Sequence, residues 1–130
     1  LKSAVSHLLL LIGESKSIEI DLDFEESIPS LTPQTASHLF RIVQELLHNT
    51  IKHAEATSLD LRIYRRDKYL ILDYMDDGKG FDLNYALSDA YNHYGLTSIH
   101  ERVELMGGTS NVYSKPGDGF SFSLSIPLVS

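Results

Sequence analysis

The sequence predicts an α+β domain, a two-layer sandwich in which helices cover one face of a mixed, mostly antiparallel sheet. Three observations lead to this class. Segments with strand and helix periodicity alternate along the 130 residues. Short polar turns join two pairs of the strand segments, which imposes antiparallel pairing on them. One long helical segment carries a continuous apolar stripe that must be buried against another layer.

The composition is that of one globular domain and argues against several classes of function. Hydrophobic residues make up 42% and charged residues 22% of the chain. The net charge of −7 argues against nucleic-acid binding, which needs a clustered basic face. The absence of cysteine excludes disulfides and thiolate metal sites. The longest apolar run, Leu8–Ile12, is too short to span a bilayer, so we expect no direct membrane contact.

The first two elements are a helix and a strand. Residues 1–16 have apolar side chains at helical spacing, and Gly13 is a plausible stop for that helix. Residues 18–24 alternate between apolar and acidic side chains, which is typical of a strand with one wet face. Because the chain begins at Leu1 rather than methionine, we expect a fragment. Residues 1–16 would be the tail of a preceding helix and residues 17–130 the domain itself.

A long helix and a hairpin follow. Thr32 is suited to cap a helix whose first turn contains Pro33 and which runs to about Ala54. The apolar stripe of this helix consists of Leu39, Ile42, Val43, Leu46 and Ile51. Residues 59–63 and 69–75 alternate as strands around a polar turn, so they should form a hairpin.

The last third of the chain contains a loop, a helix and two strands. Residues 82–94 have weak periodicity and predict a mobile loop. Apolar side chains at helical spacing from Leu96 to Met106 then predict a helix that Gly107 and Gly108 end. Residues 109–114 and 120–127 predict two strands joined by a glycine-containing turn.

Polar side chains of the long helix lie opposite its apolar stripe. Glu45, Asn49 and Lys52 share one flank, and a carboxylate, an amide oxygen and an ammonium in a row suit a hydrated divalent cation and its phosphate anions. On this helix alone, a solvated flank is the more common explanation. Glu45 and His48 also form a Glu-x-x-His pair, but a di-iron site needs that motif twice and no second copy exists.

Glycine-containing segments follow the helix in order. Asp76–Gly80 ends a strand, either as a plain turn or as a site where a carboxylate accepts a hydrogen bond from the amine of adenine. Gly95 opens a helix whose free N–H groups suit a phosphate, although a plain loop-to-helix junction would look the same. Pro116–Gly119 is a further glycine turn.

Taken in this order, these segments resemble the ATP-binding domain of sensor histidine kinases. That domain belongs to the superfamily that also contains DNA gyrase, the mismatch-repair ATPases and certain chaperones. The resemblance covers residues 18–128 and implies a Bergerat-type fold that binds ATP and Mg²⁺. By resemblance, Asn49 ligates Mg²⁺, Lys52 contacts phosphate, and Glu45 matches the acid that activates water in the hydrolysing relatives.

The resemblance also implies a nucleotide-binding set. Its members are Asn49, Lys52, His53, Asp76, Gly78, Gly80, His93, Gly95, Leu96, Gly117, Gly119 and Phe120. Asp76 would read the adenine, and Asp77 would be the variable residue beside it. Two positions depart from the family pattern. His93 stands where many relatives have a second lid glycine, and it is either a phosphate contact or a surface histidine. Phe120 stands where a threonine or serine hydroxyl usually joins the adenine network, so we expect weaker nucleotide binding.

The resemblance therefore implies the catalytic half of a sensor kinase of a two-component phosphorelay. It would transfer the γ-phosphoryl group of ATP to a histidine on a separate dimerisation domain, and a response regulator would follow. No acceptor is expected here, since His7 is followed by Leu8 rather than an acidic residue. The short lid and the Lys-His-Ala sequence resemble the nitrate-sensor-like subclass.

The same resemblance implies a homodimeric, membrane-anchored bacterial sensor whose cytoplasmic part contains this domain. Two alternatives stay open. One is a related ATPase or a serine kinase of the anti-sigma-factor type, which shares the nucleotide motifs. The other is an ATP-binding module whose catalysis has eroded.

Overall fold

The computed structural model describes residues 1–16, 18–26, 28–80 and 95–128, without the side chains of residues 14–16, 53 and 54. The elements in these ranges are α1 (Lys2–Lys16), β1 (Glu19–Phe24), α2 (Pro33–Asn49), a π-helical turn (Thr50–Ala54), β2 (Ser58–Arg66), β3 (Tyr69–Asp76), α3 (Leu96–Leu105), β4 (Thr109–Ser114) and β5 (Phe120–Pro127). No helix in this part of the chain is long and apolar enough to cross a bilayer.

The strands of the described residues form one sheet in the order β1-β2-β3-β5-β4. β1 runs parallel to β2, and the other three pairs are antiparallel. The α+β class and the mixed, mostly antiparallel sheet are thus confirmed. The predicted hairpin is β2–β3, where Asp67 adopts a left-handed conformation with φ 55° in the two-residue turn.

The inner face of the sheet and the helices enclose one core. Alternate side chains of the strands are buried, as the period of two requires. The buried strand residues of the three central strands are Leu59, Leu61, Ile63, Leu70, Leu72, Tyr74, Asp76, Phe120, Phe122, Leu124 and Ile126. The helices contribute Val5, Leu9, Leu39, Ile42, Val43, Leu46, Leu47, Leu96, Ile99 and Val103 to the same cluster. Burying each such aliphatic side chain stabilises the fold by about 1.5–3 kcal/mol.

Helix α2 begins as predicted and changes form near its end. The Thr35 N–H donates to Thr32 Oγ1 at 3.2 Å, and Pro33 occupies the first turn. A single α-helix was expected to reach Ala54. The α-helix ends at Asn49, and the π-helical turn continues the helical segment to Ala54. Such wider turns often occur at functional sites.

The two predicted helix stops had different outcomes. The stop at Gly13 is wrong, because α1 continues through it to Lys16. A Cβ on Gly13 would lie 3.5 Å from Ile20 Cδ1, an ordinary contact, so nothing there requires a glycine. Gly107 does end α3, with φ 74°. Its N–H donates to the Glu104 carbonyl, and the Gly108 N–H donates to the Val103 carbonyl at 3.0 Å, which closes the helix end.

Candidate functional site

Asp76, the last residue of β3, is a buried carboxylate with its donors already in place. Asp76 is 4% exposed. The Gly78 N–H donates to Oδ1 at 2.9 Å, and the Thr50 hydroxyl donates to Oδ2 at 2.8 Å. Burial raises the pKa of Asp76, while the hydrogen bonds from Gly78, Thr50 and the Phe120 backbone oppose that rise. The carboxylate is therefore held in one orientation as an acceptor at the edge of the apolar core.

Thr50 and Tyr74 extend this arrangement into the core. The Tyr74 hydroxyl bonds to Thr50 Oγ1 and lies 3.2 Å from the Leu46 carbonyl. Burial raises the pKa of Tyr74 well above its usual range, so the phenol keeps its proton. Thr50 has one hydroxyl proton, and when it donates that proton to Asp76 its oxygen accepts from Tyr74.

Sequence reasoning missed this Tyr74–Thr50–Asp76 chain. Two weak signals were present. Thr50 directly follows Asn49 in the long helix, and Tyr74 precedes Asp76 by two residues, which places both on one face of the strand. Neither signal reveals that the helix and the strand meet there.

Asp77, expected to be a variable residue beside Asp76, has a structural role. Its carboxylate accepts from the Thr57 N–H at 2.8 Å, the Thr57 hydroxyl at 2.6 Å and the Ser58 N–H at 3.0 Å. The Asp77 N–H donates in turn to the Ser58 carbonyl at 3.2 Å. These hydrogen bonds hold the pKa of the exposed Asp77 low, at about 2. Asp77 thereby ties the end of β3 to the start of β2.

The glycines of the two turns let their backbones interlock. A Cβ on Gly80 would lie 2.2 Å from the Lys115 carbonyl oxygen, and one on Gly119 would lie 2.3 Å from the Asp76 carbonyl oxygen. The Gly117 N–H donates to the Lys79 carbonyl at 2.7 Å. At Gly117 only the backbone conformation, with φ 85°, favours glycine, because a Cβ there would meet open space. The structure thus brings both predicted glycine turns together beside Asp76.

Phe120 faces inward beside Asp76, as predicted from the strand alternation. It pairs with Asp76 in the register of β3 and β5 and is 6% exposed. Its ring meets the ring of Tyr74 edge to face, with centroids 6.4 Å apart. The aromatic side chain is part of the wall around the carboxylate network.

Glu45 and Gly95 come together at the start of α3. Gly95 has φ 70°, and a Cβ there would lie 2.2 Å from Glu45 Oε1. A carboxylate at a helix N-terminus is favourable because that end carries partial positive charge. Leu96, the next residue of the predicted binding set, is fully buried in the core.

The remaining predicted residues lie at or beyond the end of α2. Asn49 is buried at 8% exposure, whereas Lys52 is exposed on the π-helical turn. The backbone of His53 belongs to the same turn, and its side chain is not described. His93 and the loop expected at residues 82–94 lie outside the described residues.

A groove of about 720 Å³ opens next to Glu45, between α1, α2 and α3. Its polar lining includes Arg41, which donates to Gln44 Oε1 at 3.1 Å, and Arg102, whose guanidinium lies 3.1 Å from His38 Nδ1. Solvent can therefore reach Glu45 from outside the sheet.

Comparisons with known proteins agree with this geometry. The sequence model of the family described as "Histidine kinase-, DNA gyrase B-, and HSP90-like ATPase" matches residues 34–130. The chain is 36% identical over 91 residues to the sensor protein VraS of Staphylococcus aureus, covering 70% of this chain and 25% of VraS. It is 30% identical over 128 residues to the sensor histidine kinase LiaS of Bacillus subtilis, covering 98% of this chain and 34% of LiaS.

A solved structure shows the same fold. The histidine kinase domain of the blue-light activated histidine kinase EL346 from Erythrobacter litoralis superposes with a TM-score of 0.79 at 20% identity, covering 95% of this chain and 59% of that one. The chain spans about a quarter to a third of the length of the two sensor proteins it matches.

Proposed function

The chain belongs to the family of histidine kinase-, DNA gyrase B- and HSP90-like ATPases, and on that premise we propose that it binds Mg²⁺-ATP and transfers the γ-phosphoryl group to a histidine on a separate dimerisation domain. The observation that carries the proposal is Asp76, a buried carboxylate held as an acceptor by two donors at the meeting point of two glycine turns.

Asp76 is proposed to read the base. An ionised carboxylate only accepts hydrogen bonds, so it favours adenine, which carries an exocyclic amine, over guanine, which carries an oxygen at that position. A Cβ on Gly80 or Gly119 would collide with backbone of the other turn, so these glycines let the two turns meet beside the carboxylate. Phe120 would supply an apolar wall.

Asn49 is proposed as the protein ligand of Mg²⁺. The described part of the chain contains no group of three or more His, Asp or Glu side chains suited to a metal. An amide oxygen fits Mg²⁺ in a site of this kind, because that ion keeps several waters and binds substrate phosphates. When bound, the ion would neutralise phosphate charge. Lys52, exposed one turn later, would add a further positive charge.

Glu45 is proposed to act at the phosphate end. It lies against Gly95 at the N-terminus of α3 and lines a groove that is open to solvent. The helix N-terminus suits phosphate oxygens, and Glu45 would orient the acceptor imidazole that enters along the groove. The roles of His53 and His93 as phosphate contacts stay predictions.

The proposed setting is a two-component sensor kinase. The named sensor proteins VraS and LiaS are several times longer than this chain. Residues 1–16 would be the end of a dimerisation helix and residues 17–130 the ATP-binding domain. The partners would be the dimerisation domain of a homodimer and a response regulator, with this domain in the cytoplasm. The nitrate-sensor-like subclass stays a prediction.

Nucleotide binding is the first test. Isothermal calorimetry with Mg²⁺ should show ADP binding that is much tighter than GDP binding. Asn49→Ala should weaken the Mg²⁺-dependent part of that affinity. Equal affinities for ADP and GDP would contradict the assignment of Asp76.

Phosphotransfer is the second test and separates the alternatives. The chain incubated with radiolabelled ATP should not label itself, and adding a dimerisation domain should give acid-labile labelling on that partner. Acid-stable labelling of a serine would favour the anti-sigma-factor type of kinase. Tight ADP binding without transfer to any partner would favour a module with eroded catalysis.

A further inference from the structure

We propose that Thr50 is a specificity-determining residue of the adenine site, because it gives Asp76 the hydroxyl that strand β5 lacks at Phe120. The inference rests on the proposed function, since it assigns a role in base recognition. It goes further by assigning that role to a residue outside the glycine turns. It also states an exchange: the hydroxyl of Thr50 takes the place of the hydroxyl that is absent at residue 120.

The positions of the two residues support the exchange. Phe120 is the cross-strand partner of Asp76, so a hydroxyl at residue 120 would lie beside the carboxylate on the inner face. The aromatic ring occupies that position instead and packs edge to face on Tyr74. Thr50 reaches the same carboxylate from the helix layer, and its hydroxyl lies 2.8 Å from Asp76 Oδ2. Thr50 is 1% exposed, so water does not replace this donor.

The direction of the hydrogen bonds explains the effect on specificity. When Thr50 donates to Asp76, its oxygen must accept from Tyr74, so the Tyr74 proton is directed at Thr50 and not at the Leu46 carbonyl. The two hydroxyls then align toward Oδ2, while the Gly78 N–H donates to Oδ1. These donors stabilise the ionised carboxylate, and in that form it can only accept from the base. Without Thr50, burial would favour protonation, because the Thr50 hydrogen bond is one of the contacts that lower the pKa of Asp76. A protonated Asp76 could donate to a base that carries an oxygen.

The test compares ADP with inosine 5′-diphosphate, which has an oxygen in place of the exocyclic amine. Thr50→Val keeps the side-chain shape and removes the hydroxyl, and Thr50→Ser keeps the hydroxyl. Calorimetry should show that Thr50→Val weakens ADP binding about tenfold. Inosine diphosphate binding should change less than about twofold, and Thr50→Ser should bind ADP within about twofold of the original chain. A purely structural role would weaken both nucleotides together, and that result would overturn the inference.

Two further variants make the test robust. In the Thr50→Val background, Phe120→Thr should restore ADP affinity to within about threefold of the original chain, because residue 120 can then donate to Asp76. No recovery in a folded double variant would contradict the exchange. Tyr74→Phe removes only the outer hydroxyl of the chain and should lower the ratio of ADP to inosine diphosphate affinity about threefold. An unchanged ratio in Tyr74→Phe would also count against the inference.

The outcomes for the two proposals are distinct. If the original chain binds ADP but Thr50→Val binds it equally well, this inference fails and the proposed function stands. If the original chain binds neither nucleotide, the proposed function fails and this inference fails with it.

Discussion

Asp76 and Asp77 are neighbours in the chain, yet they lie in opposite environments. Asp76 is buried against the helix layer, where burial raises its pKa. Asp77 is exposed, and the backbone and hydroxyl donors of Thr57 and Ser58 lower its pKa to about 2. The same residue type, one position apart, is a proposed ligand-binding group in one case and a structural connector in the other.

The difference affects stability in opposite directions. For Asp76 the pKa in the folded state lies above its ordinary value of 3.8, so the folded state binds more protons and stability falls as pH rises from 3.8 through the folded pKa. For Asp77 the folded pKa lies below 3.8, so its contribution is present above 3.8 and is lost as pH falls toward about 2. The buried carboxylate lowers stability at neutral pH, whereas the exposed one raises it.

The largest effect on ADP binding should come from Asp76→Asn. Asparagine keeps an acceptor for Gly78 but offers the base an amide, so ADP affinity should fall roughly 5- to 150-fold, which corresponds to about 1–3 kcal/mol for one buried hydrogen bond. Because the variant removes a buried negative charge, its melting temperature at pH 7 should equal or exceed that of the original chain. Calorimetry and thermal melts measure the two quantities.

The control for that variant is the pH dependence of the melt. The original chain should lose stability between pH 4 and pH 7 relative to Asp76→Asn, and the two curves should converge in acid. A variant that melts much lower at every pH would show that Asp76 is a structural residue like Asp77, which would remove the contrast between them.

A second variant tests how the turn after Asp76 is held. Gly119→Ala would place a Cβ 2.3 Å from the Asp76 carbonyl oxygen at a φ of 74°, so we expect a loss of about 2–4 kcal/mol from backbone displacement and strain. Gly117→Ala is the matched control, because it has φ 85° but open space around the Cβ. It should cost only about 1–2 kcal/mol. Chemical denaturation measures both, and equal losses would show that the interlocking of the turns contributes nothing.

The smallest effect should come from Asp77→Asn. The amide can accept fewer of the three hydrogen bonds from Thr57 and Ser58, so the melting temperature at pH 7 should fall by about 3–6 °C. The difference from the original chain should shrink as pH falls from 4 to 2. ADP affinity should change less than about threefold.

Thr57→Val is the control for this third prediction, since it removes one of the three donors to Asp77 and leaves both backbone donors. It should lower the melting temperature by less than Asp77→Asn does. A large loss of ADP affinity in either variant would place Asp77 in the binding site after all.

Elements with strong local patterns were predicted well from the sequence. The alternation after Gly119 defined β5 from Phe120 to Pro127, and Gly107 marked the end of α3. Both depend on short-range physics, namely the period of two in a strand and the left-handed glycine of a helix end. Gly13 shows the limit, because a glycine in a right-handed conformation does not end a helix by itself.

The candidate site was predicted only in part. The motifs drew attention to Asp76 and to the inward position of Phe120, and the structure confirms that the two lie side by side. We expected the adenine site to lack a hydroxyl because Phe120 of β5 has none. The hydroxyl of Thr50 was not foreseen, because Thr50 and Asp76 lie 26 residues apart in the chain and no local pattern connects them. The resemblance made Asp77 a variable position, and its structural role was not predicted because the Thr57 donors lie 20 residues earlier, at the start of another strand.

Most helices and strands, and the candidate residues of the site, were predictable from the sequence, because periodicity and turn composition act over a few residues. Tertiary structure alone decided that β1 joins the sheet parallel to β2, that Glu45 meets Gly95, and that Thr50 donates to Asp76. Those features depend on burial and on distances between remote segments. Burial shifts the pKa of a side chain and strengthens its hydrogen bonds, and a side chain becomes buried only when the helix layer packs on the sheet.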